Sequence, residues 1–202
     1  MLLEMMIMAS LLGQTGSTQE ATKEAAKEPA KPAVELKVGD TAPVFTAMDD
    51  AGKEWKSTDH VGKGVLVLYF YPADMTGGCT KQACGFRDDA SALKSEGAEV
   101  VGVSANSVAE HQMFKKEKSL NFTLLADPEG KVASAFGVPT SKGASYNATI
   151  DGKEQPFSVG IVISRWTFVI GKDGKIAAKE TEVNAAEDSK TVLETVAKLE
   201  KK

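Results

Sequence analysis

The hydrophobic pattern divides the chain into an apolar start, a polar stretch, and a long region where continuous apolar runs alternate with amphipathic segments. Val65 to Tyr71 (VLVLYFY) is an unbroken run of β-branched, leucine and aromatic residues, as expected of a central strand covered on both faces. Pro72 ends it, and Thr76, Gly77 and Gly78 supply a flexible turn. Beyond the turn, apolar positions fall at Cys79, Ala83, Phe86, Ala90 and Leu93, at intervals of 4, 3, 4 and 3, so one helical face begins on the cysteine. Gly97 stops that helix. Glu99 to Ser104 and Phe122 to Ala126 read as further core strands. Between them a capping box of Ser107 and Glu110 starts a helix that runs to about Lys118.

Hairpins occupy the flanks. Ala42 to Met48 and Lys53 to Ser57 flank the turn signal Asp50-Ala51-Gly52 and predict a small N-terminal hairpin. Asp127-Pro128-Glu129-Gly130 turns into a short helix ending at Phe136-Gly137. Residues 138–164 carry an inserted hairpin, with Asp151-Gly152 joining Tyr146–Ile150 to Lys153–Val159. Arg165 to Ile170 and Lys175 to Thr181 form an antiparallel pair, and residues 186–200 close the chain as an amphipathic helix. The alternation predicts an α/β fold, a mixed sheet with helices on both faces and a site at the carboxyl end of the central strand.

Residues 1–13 (MLLEMMIMASLLG) are too short for a bilayer span of about 20 residues and resemble a signal-peptide core. Glu4 and the missing Lys or Arg ahead of it count against a secretory signal, and a mis-assigned start is the competing reading. Export to a periplasm-like compartment is favoured over the cytoplasm, with no stable membrane insertion. Residues 14–35 are rich in Ala, Glu, Lys, Thr and Pro and are expected to be a disordered linker, leaving 36–202 as the domain. A net charge of −4 with interspersed signs excludes the basic stripe that nucleic-acid binding needs. A monomer is expected.

The chemistry centres on two cysteines. Cys79 falls in a first helical turn, where unpaired N–H groups and the helix dipole favour thiolate over thiol. His60 and His111 lie far from both cysteines, so zinc ligands at a usual spacing are missing. On an ideal helix the five residues from Cys79 to Cys84 rise about 7.5 Å and turn about 140°, beyond the roughly 7 Å Cα limit for a disulfide. Any bond between them therefore requires local unwinding, and Gly85, which weakens a helix by about 1 kcal/mol relative to Ala, is the expected soft point. This fits a cycle in which Cys79 is oxidised to a sulfenic acid and Cys84 then attacks it.

The run PADMTGGC, Pro72 to Cys79, resembles the Pro-x-x-x-Thr-x-x-Cys motif of peroxiredoxins. With the second cysteine five residues on, it closely resembles the bacterioferritin comigratory protein (PrxQ-type) branch, and the likeness extends from about Val38 to Ala177. The resemblance implies a thioredoxin-like fold and a thiol peroxidase acting on hydrogen peroxide and organic hydroperoxides. It implies Cys79 as the peroxidatic thiolate, Thr76 bonding the peroxide, Pro72 shielding the sulfur and Arg165 stabilising negative charge. It further implies that Cys84 resolves the sulfenic acid as an intramolecular Cys79–Cys84 disulfide, that a thioredoxin-like dithiol reduces it, and that no metal or organic cofactor takes part. Gly77 in place of the usual Pro, Gln82 in place of a frequent Glu, and Trp166 in place of a smaller residue depart from the pattern.

The remaining candidates are read blandly. His60 and His111 are taken as surface or cap-region residues, Asp74, Arg87 and Asp88 as a solvated face, and Trp55 and Trp166 as packing residues. Two other functions stay open at this point. An exported thioredoxin-like thiol-disulfide oxidoreductase would share the fold, although Cys-x-x-Cys is absent. A copper chaperone on the same fold would need a histidine in the later loops, where none occurs.

Overall fold

The computed structural model describes residues 34–199. The apolar segment 1–13 and the linker up to residue 33 lie outside the described residues. The domain opens with β1 (Thr46–Asp49) and β2 (Glu54–Lys56), an antiparallel hairpin with Met48 opposite Glu54. Its strands are shorter than expected because the Asp49 carboxylate accepts from the N–H groups of Ala51 and Lys53 and tightens the turn.

Next comes β3 (Val65–Phe70), buried along its whole length, followed by α1 (Gly77–Ser95). Gly97, at φ 70°, takes the left-handed conformation that ends α1. Then follow β4 (Ala98–Ser104), α2 (Val108–Lys118) with both halves of the Ser107–Glu110 capping box formed, β5 (Thr123–Ala126) and α3 (Lys131–Ala135). The inserted region holds β6 (Thr140–Lys142), the hairpin β7 (Ser145–Ile150) and β8 (Lys153–Ser158), and β9 (Ile161–Ile163). Asp151 at φ 48° and Gly152 at φ 74° make the expected two-residue turn of the hairpin. The antiparallel β6–β9 pair was not foreseen, since Thr140-Ser141-Lys142 contains no apolar residue. The chain ends with β10 (Trp166–Ile170), β11 (Ile176–Glu180) and α4 (Asp188–Leu199).

Seven strands form one mixed sheet in the order β11-β10-β3-β4-β5-β1-β2. The central trio β3, β4 and β5 is parallel, while β10 and β1 flank it antiparallel. Alternation along β3 splits the core in two. Leu66, Leu68 and Phe70 pack with Phe136, Phe168 and Ile163 on one face. Val65, Val67 and Tyr69, continued by Tyr71, pack with Cys79, Ala83 and Phe86 of α1, Phe114 of α2, and Val192 and Val196 of α4 on the other. The architecture is thioredoxin-like, and it places the start of α1 beyond the carboxyl end of the central strand.

Candidate active site

Tyr71 to Thr76 carry the chain from the end of β3 into α1. Thr76 is the N-cap residue in an extended conformation; its hydroxyl donates to the Ala73 carbonyl at 3.0 Å and makes no cap bond. Cys79 is the third residue of α1 and only 1% exposed, beside N–H groups that have no partner within the helix. Arg165 Nη2 donates to Cys79 Sγ at 3.2 Å. A side chain at position 78 would meet that nitrogen at 3.3 Å, so Gly78 clears the guanidinium's path. Thiol, cation and helix start thus converge, an arrangement that stabilises negative charge on sulfur. Arg165 lies one residue outside β10, in the link from β9, and not within the strand as the sequence suggested. The link lets its side chain reach across to α1.

Arg165 Nη1 donates to Gln82 Oε1, and Gln82 Nε2 donates to Asp188 Oδ2 at 2.6 Å, an oxygen that also accepts from the Thr167 hydroxyl at 2.8 Å. A polar strap therefore runs from Cys79 through Arg165 and Gln82 to the first residue of α4. Burial raises the Asp188 carboxyl above its ordinary 3.8, against the hydrogen bonds from Gln82 and Thr167 and the Arg165 charge. Gln82 stands out in the sequence, three positions from Cys79, but its partner lies 106 positions away and carries no local signal.

Pro72 is half-buried just beyond β3, and Cys84 is half-buried on α1; both cysteines are free thiols within one continuous helix. Gly85 has a packing reason beyond softness. A Cβ there would meet Ser189 Oγ of α4 at 2.9 Å, and Ser189 Oγ itself donates to Asp89 at 2.7 Å.

Two residues read as solvent-facing are fully buried. His111 Nδ1 pairs with Asp74 Oδ2 at 2.8 Å, both side chains 0% exposed, and Tyr71 donates to Asp74 Oδ1 at 2.7 Å. The sequence placed Asp74 beside exposed Arg87 and Asp88, but β3 ends inside the molecule and its turn is roofed by α2 and the inserted hairpin. His60 is half-buried and stacks on Trp55 at 4.2 Å. Among the described residues no group of three or more His, Cys, Asp or Glu could hold a metal ion, and no helix is long and apolar enough to cross a membrane.

A thioredoxin-like fold with a buried, cation-paired thiol opening its first long helix defines a thiol-redox protein. The AhpC/TSA family profile matches residues 38–179, most of the chain. Peroxiredoxin Bcp of Escherichia coli (strain K12) is 43% identical over 141 residues, covering 70% of this chain and 83% of that protein. The crystal structure of peroxidoxin BcpB from Mycobacterium tuberculosis superposes with a TM-score of 0.67 at 32% identity, over 82% of this chain and 99% of that one. Bacterioferritin comigratory protein of Xanthomonas campestris, solved in connection with its alkyl peroxide reduction activity, gives 0.65 at 25% identity over 82% and 98%. The chain belongs to the AhpC/TSA family; it is a peroxiredoxin of the bacterioferritin comigratory protein type.

Proposed function

We propose that this thiol peroxidase reduces hydrogen peroxide and organic hydroperoxides through Cys79, and that Cys84 completes the cycle. The observation that carries the reading is the 3.2 Å contact of Arg165 with the buried Cys79 sulfur. The thiolate attacks the terminal oxygen of ROOH: an S–O bond forms, the O–O bond breaks, and the alcohol or water leaves after taking a proton. Arg165 and the α1 N–H groups offset charge on both sulfur and leaving oxygen, while Thr76 and Pro72 orient and shelter the peroxide. The Cys84 thiolate then attacks the Cys79 sulfenic sulfur: the S–S bond forms, the S–O bond breaks, and the leaving hydroxide takes a proton to depart as water. A thioredoxin-like dithiol returns the two electrons by exchange, and no metal or organic cofactor enters the balance.

An exported thioredoxin-like oxidoreductase is the weaker reading, because its two sulfurs would have to meet within one turn, whereas these lie five residues apart in an intact helix. The test is peroxide consumption by reduced wild type and Cys79→Ser, supplied with thioredoxin. Wild type is expected to turn over while the variant stays at the uncatalysed rate. Equal rates would end the proposal, and insulin reduction by wild type would favour the weaker reading.

A further inference from the structure

The Cys79 turn is held by a residue that the chemistry above does not use. All four polar atoms of Asp74 are bonded inside the protein. Its N–H donates to Asn106 Oδ1 at 2.9 Å, its carbonyl accepts from Tyr146 at 2.9 Å, and its carboxylate takes Tyr71 and His111 at 2.7 and 2.8 Å. These partners come from four separate places: the end of β3, the link from β4 to α2, α2 itself, and the inserted hairpin.

His111 bridges two acceptors, with Nδ1 on Asp74 and Nε2 on the Leu125 carbonyl at 3.1 Å. Both ring nitrogens are thereby engaged, and the Asp74–His111 contact is closed off from water, with both side chains 0% exposed. Tyr146 arrives on a docked element. The Ser158 N–H of the hairpin donates to Glu110 of α2 at 2.7 Å, and Asn106 Nδ2 donates to the Tyr146 hydroxyl at 3.2 Å.

What is clamped is strained. Met75, the next residue, has φ 60°, a left-handed conformation that a side chain disfavours and that persists where its surroundings over-determine it. Asp74 lies two residues after Pro72 and two before Thr76, the groups assigned to the peroxide. We infer that Asp74, clamped by His111 and Tyr146, is a positioning residue for peroxide attack: it holds the Pro72–Thr76 turn in the strained form that sets Thr76 at the head of α1. The inserted hairpin is thereby part of the peroxidase site. The inference rests on the proposed role of Cys79.

Asp74→Asn separates geometry from charge. A neutral His111 can keep its Nε2 bond to Leu125 while accepting at Nδ1 from the new amide, so the turn stays held. Asp74→Ala removes the anchor. Rapid mixing of reduced protein with a hydrogen peroxide series reads a peroxide-dependent first phase and a peroxide-independent second one. In Asp74→Ala the first-phase slope is expected to fall about 100-fold, as for a reacting group misplaced by an ångström, with the second phase not slowed. Asp74→Asn should stay within about fivefold of wild type, and Tyr146→Phe, which removes the hydroxyl's bonds to the Asp74 carbonyl and from Asn106, should fall about tenfold. An unchanged slope in Asp74→Ala overturns the inference, as does Asp74→Asn falling as far as Asp74→Ala. If Asp74→Ala does not fold, an unchanged slope in Tyr146→Phe overturns it. A wild type without a first phase beyond that of Cys79→Ser overturns the peroxidase reading too; a normal wild type with insensitive variants overturns this inference alone.

Discussion

The two arms that meet at Cys79 are built to opposite ends. Upstream, the Tyr71–Thr76 turn is buried around Asp74, tied to four separate places, and strained at Met75. Downstream, α1 carries Cys84 half-exposed and is tied to α4 by two side-chain straps, Gln82 to Asp188 and Ser189 to Asp89. The first arm has nowhere to go without stranding buried polar groups. The second is a regular helix whose unwinding gives up helical hydrogen bonds, the two straps and the packing of Ala83 and Phe86. Peroxide attack needs a fixed geometry and disulfide formation needs a mobile one, so the division matches the two halves of the proposed cycle.

The contrast can be broken most severely at Cys84. Cys84→Ser is expected to consume one equivalent of peroxide in forming the Cys79 sulfenic acid and then to cease turnover, with a slower second equivalent carrying Cys79 to sulfinic acid, both read by mass spectrometry. Sustained turnover with thioredoxin would assign the resolving role elsewhere. A smaller, sharper effect is expected at the α1–α4 contact. Ser189→Ala removes the strap to Asp89, and the second kinetic phase should quicken about twofold to fivefold. In that background position 85 faces only the β-carbon at 3.6 Å, an ordinary contact. Adding Gly85→Ala should then recover about 1 kcal/mol of helix stability and slow the second phase about fivefold. If the double variant resolves as fast as Ser189→Ala, unwinding at Gly85 does not limit the step.

The smallest effect expected is a pH dependence at Asp188. Burial raises its carboxyl above 3.8 in the folded protein, so the folded state holds the proton more tightly than the unfolded chain. Its contribution to stability is therefore best at low pH and declines as pH climbs from 3.8 through the raised value. Asp188→Asn keeps an acceptor oxygen for Gln82 and Thr167 and loses the titration, so its melting temperature should gain on wild type across that window. A constant difference would show that the carboxyl does not titrate there.

Much of this was legible along the chain. The Val65–Tyr71 run, the Cys79 helix face, the Ser107 capping box and the Asp151-Gly152 turn rest on local rules that the fold obeys. Arg165 was identifiable through its motif context, although its contact spans 86 positions. Asp74 and His111 were misread because each is polar and nothing local marks a buried pair 37 residues apart. The Gln82–Asp188 strap was hidden for the same reason, and the β6–β9 pair because strands of three residues carry no periodicity.

Hydrogen–deuterium exchange of residues 71–95 in the reduced and the peroxide-oxidised protein tests the division of labour most directly. Oxidation is predicted to strip protection from α1 amides between Cys79 and Arg87 while the Asp74 amide, held by Asn106, keeps its own. Unchanged protection in α1, or equal loss on both sides of Cys79, would contradict the account.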